Sequence, residues 1–137
     1  MATQIFVNLP VRDLKKATAF YTALGAAKNP QFSDETASCM VFSDTIFVML
    51  LTHEKWGLFT NKPIADACRQ SEVMLALSAE SRKAVDKITE AAGANGGRAD
   101  VNPTQEQGSM YGRSFEDIDG HIWESVFIDM SQMPGSG

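Results

Sequence analysis

Val7-Asn8-Leu9-Pro10-Val11-Arg12-Asp13-Leu14-Lys15-Lys16-Ala17-Thr18-Ala19-Phe20-Tyr21 is a strand that runs into a capped helix. The β-rich run begins at Ile5 and is interrupted by Pro10, which restricts its predecessor and cannot donate to a central ladder. Asp13 occupies an N-cap, and Leu14, Ala17, Phe20, Tyr21 and Leu24 recur at helical spacing before Gly25. Beyond the helix, a short strand is expected around Asn29 to Phe32. A turn at Asp34-Glu35 precedes a strand from Ala37 to Phe42, and Ser43-Asp44 turns the chain into a second strand from Thr45 to Thr52.

From His53 to Ser71 the periodicity weakens around Gly57, Asn61 and Pro63, predicting a connector with a short helix near Ala65 to Arg69. The strand–helix–hairpin order then returns. Glu72 to Leu77 is strand-like, and Ser78 or Ser81 caps a helix through Ala84, Val85, Ile88 and Ala91. Gly96-Gly97 and Pro103 to Gly108 read as loops, Met110 to Phe115 as a strand, Asp117-Ile118-Asp119-Gly120 as a tight turn, and His121 to Ile128 as the last strand. At one offset Asp13 falls on Glu80, Lys16 on Lys83, Ala17 on Ala84 and Thr22 on Thr89. A duplicated unit of about 60 residues is too long for a solenoid repeat. Two such units pairing their sheets would carry helices on the convex face and a ligand-holding concave face.

Composition narrows the function classes. The 137 residues carry 17 acidic and 12 basic side chains, a formal charge of −5, and no Lys/Arg stripe of the kind that binds a phosphate backbone. Nucleic acid is therefore not an expected partner. No apolar run approaches the roughly 20 residues that cross a bilayer, and the start lacks a basic region followed by an apolar signal core. Cys39 and Cys68 form no paired framework, which suits reduced thiols and a cytoplasmic location. The last residues, 131–137, read as a flexible tail.

The opening segment, with Leu24-Gly25 after it, and the ending Phe115-Glu116-Asp117-Ile118-Asp119-Gly120-His121-Ile122-Trp123-Glu124 together resemble the vicinal oxygen chelate superfamily. That family includes glyoxalase I, bleomycin-resistance proteins and extradiol dioxygenases, and the chain is most similar to its glyoxalase-like, lactoylglutathione lyase-related bacterial members. The resemblance implies an α+β fold: two βαβββ modules forming a curved mixed sheet with helices on the convex face. It implies one domain over residues 1–130, with module one at about 4–53, a connector at about 54–71 and module two at about 72–129. A homodimer and a small-molecule ligand are also implied.

Metal-using members of this family place a His or Gln on each module's first strand and a Glu on each module's last strand. Counting back from Asp13 and Glu80 puts the first two positions at Phe6 and Val73; the Leu51-Thr52-His53 ending puts the third at about Leu50. Only the fourth, Glu124, matches the pattern. One carboxylate does not hold a catalytic divalent ion, so no cofactor is expected, and Glu124 would be a metal ligand only alongside others not identified here. Glu72 becomes available only through a register slip that would turn the whole strand over. His53, His121 and Asn8 lie near the relevant strand ends.

Glu124 alternates with Ile122, Val126 and Ile128. It reads either as a general acid or base in an apolar cavity or as a carboxylate hydrogen-bonded to an inward polar group. Asn8 shares parity with Phe6 and offers an amide to a substrate carbonyl or to Glu124. Tyr111 would line the pocket mouth or an interface. Arg113 would clamp an acidic ligand or pair with a surface acid such as Glu116. Phe6, Leu50 and Val73 complete the expected ligand-binding set. The leading expectation is a small-molecule protein with a degenerate metal site, sequestering or transforming its ligand. The alternatives are a metal-dependent lyase or isomerase of the glyoxalase I type and a non-catalytic interaction module.

Overall fold

The computed structural model describes residues 2–132 and divides the chain into two compact units, Met1–Asp66 and Ala67–Gly137. In the first unit, β1 (Ile5–Val11) leads into α1 (Leu14–Ala23), followed by β2 (Ala27–Asn29), β3 (Ala37–Val41), β4 (Ile46–Thr52) and a helical turn α2 (His53–Trp56). The sheet order is β1-β4-β3-β2, with β1 parallel to β4 and the other pairs antiparallel. Pro10 thus lies on a strand at the end of its own sheet, where a missing N–H is tolerated. The Asp13 carboxylate accepts a hydrogen bond from Lys16 N at 3.1 Å, satisfying one of the free donors of the helix start.

One face of this sheet is covered by α1. Thr18 Oγ1 on the helix lies 2.8 Å from Ser38 Oγ on β3, which fixes the orientation of the ladder. Ser38 stands opposite Leu50, and Leu50 opposite Leu9, so all three point towards the helix. Leu9, Val11, Met40, Val48 and Leu50 are buried, as are Ala17, Phe20 and Tyr21 of α1. Burial of each large side chain contributes about 1.5–3 kcal/mol. The opposite face carries Phe6, Asn8, Phe47, Met49 and Leu51.

The second unit repeats the plan with β5 (Met74–Ser78), α3 (Arg82–Ala94), β6 (Arg98–Ala99), β7 (Gln105–Gln107), β8 (Met110–Glu116) and β9 (Ile122–Ile128). Its order is β5-β9-β8-β6, and β7 also pairs with β8. Again the lone parallel pair joins the first strand to the last. The Ser81 hydroxyl accepts from Ala84 N at 3.0 Å and begins the helix. The architecture is therefore the expected α+β arrangement of strand, helix and antiparallel strands, present twice.

Local expectations need revision at four places. The strand expected around Asn29 to Phe32 lies earlier, at Ala27–Asn29, and Pro30–Phe32 is a 3-10 turn. Residues 67–69 form a turn, whereas the helical turn sits at His53–Trp56, where the Thr52 hydroxyl accepts from Lys55 N at 3.1 Å. Gly96-Gly97 is the expected turn and leads directly into the short β6, whereas the loop expected at Pro103 to Gly108 contains the short β7; both strands are held by pairing with β8. Of the expected tail, Met130–Gln132 forms a 3-10 turn and residues 133–137 lie outside the described part.

The Asp117–Gly120 turn is built as its composition suggests. Asp117 Oδ1 accepts from Asp119 N and His121 N, both at 2.9 Å, while Asp117 N and O bond His121 O and Gly120 N. Gly120 has φ +93°, and a Cβ there would lie 2.8 Å from Cys68 N. Only glycine allows the turn to pack so closely on the Ala67–Cys68 backbone.

Candidate functional site

On the open face of the first unit, the Phe6 and Phe47 rings stack at 4.6 Å with planes 11° apart. Asn8 follows on the same face, opposite Met49, and Leu51 closes the row. The chain leaving β4 then turns back through α2, with Gly57 N bonded to His53 O and Phe59 N to Trp56 O. The result is a cavity of about 310 Å³ lined by Asn8, Leu51, Trp56, Phe59 and Thr60. Its floor is aliphatic, its wall aromatic, and its polar groups are an amide and a hydroxyl.

The open face of the second unit carries Met74, Ala76 and Ser78 of β5, Ile122, Glu124, Val126 and Ile128 of β9, and Gly112, Ser114 and Glu116 of β8. Glu124 stands between Ala76 and Ser114, half-buried, with Ile122 and Val126 along its own strand.

Several expected site residues are placed elsewhere. Leu50 is fully buried beneath α1, because the ladder pairs it with Leu9; the β4 residues on the face of Phe6 are Phe47, Met49 and Leu51. Val73 lies just before β5. The cap of α3 is Ser81, one residue after Glu80, so the position seven before the cap, matching Phe6, is Met74. Glu72 is thereby further from that position.

Tyr111 and Arg113 point towards α3. The Arg113 guanidinium donates to Asp100 through Nε at 2.9 Å and Nη2 at 2.7 Å, and its Nη1 lies 3.0 Å from both Asp86 Oδ1 and Glu90 Oε1. Tyr111 donates its hydroxyl to Asp86 at 2.6 Å, beneath the Arg82 guanidinium, which lies 4.6 Å above its ring. Glu116 pairs instead with Arg98, at 3.7 Å. Asp100 reaches Arg113 from a left-handed backbone conformation, φ 56°.

This network ties α3 to β8 and the segment after β6. The Tyr111 and then the Arg113 hydrogen bonds hold the Asp86 carboxyl below its ordinary range, and the Arg113 hydrogen bond does the same to Asp100. The bond to Asp86, then burial, pushes the Tyr111 phenol up. A guanidinium already forked onto three acids does not recruit an acidic ligand.

Cys39 is buried, and burial pushes its thiol up, away from the reactive thiolate. Cys68 is exposed and donates to Asp119 O at 3.5 Å. His53 opens α2, and His121 closes the Asp117 turn through its backbone.

The positions that the resemblance assigns to metal ligands, taken in each unit separately, fit a catalytic metal poorly. Phe6, Met49 and Met74 provide one hydrocarbon ring and two soft thioethers where imidazole, amide or carboxylate groups would be needed for zinc, nickel or magnesium. Among the described residues, no three His, Cys, Asp or Glu side chains are grouped to hold an ion. Trp56, Phe59 and Thr60 were not anticipated, because they fall in the aperiodic connector; the Thr52-x-Glu54 start of a helical turn was their one local signal.

Comparison with known proteins agrees with this architecture. A hypothetical protein from S. aureus, SA1046, is 26% identical with a TM-score of 0.76, covering 93% of this chain and 95% of that one. A glyoxalase/bleomycin resistance protein/dioxygenase family enzyme from Burkholderia phytofirmans PsJN is 17% identical with a TM-score of 0.77, covering 93% and 99%. The fosfomycin resistance protein FosX from Mesorhizobium loti is 16% identical with a TM-score of 0.67, covering 93% and 92%. No protein of curated function matches the sequence. Residues 4–125 match the Glyoxalase/Bleomycin resistance protein/Dioxygenase superfamily, and the chain belongs to it.

Proposed function

We propose that this protein binds a small organic molecule in the cavity beside β4, without a resident metal ion. The observation that carries the reading is the replacement of metal-ligating side chains by Phe6, Met49 and Met74 on open faces that otherwise keep the family's geometry. The apolar cavity lined by Asn8, Leu51, Trp56, Phe59 and Thr60 is of ligand size, near the lower end of the ~300–1,000 Å³ typical of such sites. Its lining residues are uncharged, so affinity would come from burial of apolar surface, with Asn8 and Thr60 orienting the ligand.

Glu124 is the group we assign to proton transfer if the ligand is transformed, as its neighbours Ile122, Ala76 and Val126 offer it no charge partner along the ladder. Cys39 and Cys68, which form no disulfide, support a cytoplasmic setting; no described helix is long and apolar enough to cross a membrane. Residues 1–130 are read as one domain made of two modules, acting as a homodimer.

The test is metal analysis of protein purified without a chelating tag, combined with a hemithioacetal isomerase assay before and after nickel or zinc addition. Less than stoichiometric metal and no metal-restored isomerase activity are expected. A stoichiometric divalent ion whose binding is lost in Glu124→Gln would overturn the proposal in favour of a glyoxalase I type lyase.

A further inference from the structure

The cavity beside β4 also indicates what kind of molecule it takes; this inference rests on the binding role proposed above. Two of its five lining side chains, Trp56 and Phe59, are aromatic. Phe59 is 69% exposed although it lines the cavity, so one aromatic surface stands in water until something covers it. The same sheet face continues into the stacked Phe6–Phe47 pair, two residues along β1 from Asn8. Aromatic rings gain from offset or edge contacts with other rings beyond the area they bury, and such contacts require a planar partner.

Charge on the ligand is disfavoured within the cavity. None of the five lining residues is ionisable. Lys55, on α2, holds its ammonium 5.6 Å above the Phe59 ring. That charge is thus already engaged by an aromatic face. Burying a charge without a partner costs far more than burying a hydroxyl that finds one. A polar handle is available: the Asn8 amide donates only a long hydrogen bond, 3.5 Å, to Phe6 O, and such a bond is readily exchanged for a shorter one. The Thr60 hydroxyl accepts from Lys62 N at 3.2 Å and keeps its own proton to donate.

We propose that the cavity selects uncharged, planar aromatic molecules of one or two rings bearing a single hydroxyl or carbonyl group. The ring lies against Trp56 and Phe59 over Leu51, and the polar substituent meets Asn8 or Thr60.

Isothermal titration calorimetry of the full chain with three probes sharing one skeleton tests this: 2-naphthol, its saturated analogue decahydro-2-naphthol, and 2-naphthoate. 2-Naphthol is expected to bind about tenfold tighter than either of the others. Trp56→Leu and Phe59→Leu should each weaken 2-naphthol about tenfold while changing decahydro-2-naphthol little, because both keep an apolar surface and lose the ring. Leu58→Ala, a neighbouring exposed residue outside the lining, should behave as wild type and controls for general surface stickiness. If decahydro-2-naphthol or 2-naphthoate binds as tightly as 2-naphthol, and binding still depends on Trp56, the aromatic or neutral preference is overturned while the binding site itself stands. If no probe binds, or all bind equally to wild type and to both cavity variants, the proposed site is overturned as well.

Discussion

The two units share a plan but differ on their open faces. In the first, the row Phe6, Asn8, Met49 and Leu51 leads to a cavity closed by Trp56 and Phe59; in the second, the corresponding strands carry Met74, Ala76 and Glu124. The helix-covered faces share more: each helix is capped by a side-chain oxygen and covers buried apolar strand residues, to which the second unit adds the Tyr111–Arg113 network. The contrast teaches that the two open faces can carry different chemistry because their side chains lie opposite the helix-covered core. The open faces differ in chemistry while the strand–helix plan beneath them is the same.

The largest effect expected is at the turn that precedes Glu124. Gly120→Ala places a Cβ against the Cys68 backbone at a positive φ, and should destabilise the second unit by roughly 3 kcal/mol or more in denaturant unfolding. Next comes the first unit's division between core and open face. Leu50→Ala should cost about 2–5 kcal/mol, as deletions beneath a packed helix do, whereas Met49→Ala, one residue away on the open face, should cost about 1 kcal/mol. Equal costs at the two positions would mean that the faces of β4 are assigned wrongly.

Arg113 provides a smaller and pH-dependent test. Its three acidic partners are 43–68% exposed, so solvent screening reduces the cost of Arg113→Met to about 1–2 kcal/mol at neutral pH. Asp86 and Asp100 bind protons more weakly in the folded protein than in the unfolded chain. Their contribution is therefore full above the unfolded value, near ~3.9, and is lost as pH falls through their lower folded values. The gap between wild type and variant should be constant from neutral pH to about 5 and should close below about 4. The smallest expected change is Glu124→Gln: stability within about 0.5 kcal/mol, binding in the β4 cavity unchanged, and any turnover abolished.

Much of this fold was legible in the sequence because local chemistry decided it. Asp13 before a periodic apolar stripe, and Asp117-x-Asp119-Gly120 before an alternating run, specify their elements without help from distant residues. Misplacements occurred where a single residue of register mattered. The internal repeat aligned Glu80 with Asp13 through helix-interior matches, but the hydroxyl of Ser81 captures the free amide of Ala84, which moves the strand position from Val73 to Met74. Leu50 was counted from a strand end, whereas its face is set by hydrogen-bond pairing with β1 and β3.

The Arg113 partners were illegible for a related reason. Asp86 and Glu90 lie a turn apart on α3, and Asp100 follows β6, so their convergence on one guanidinium depends on how helix and sheet pack. Of the cavity lining, Asn8 was anticipated, but the wall was missed because a segment without periodicity, between Thr52 and Thr60, supplies most of it.

The central claim is that the first unit binds an organic ligand independently of any metal. Trp123 is buried in the second unit, so a Trp123→Phe background leaves Trp56 as the sole tryptophan and a reporter within the cavity. A screen of small organic compounds by Trp56 emission, run in chelator and repeated with nickel or zinc, measures the claim directly. Saturable changes in emission that are the same in all three conditions are expected. Ligand-induced changes that appear only after metal is added would contradict it.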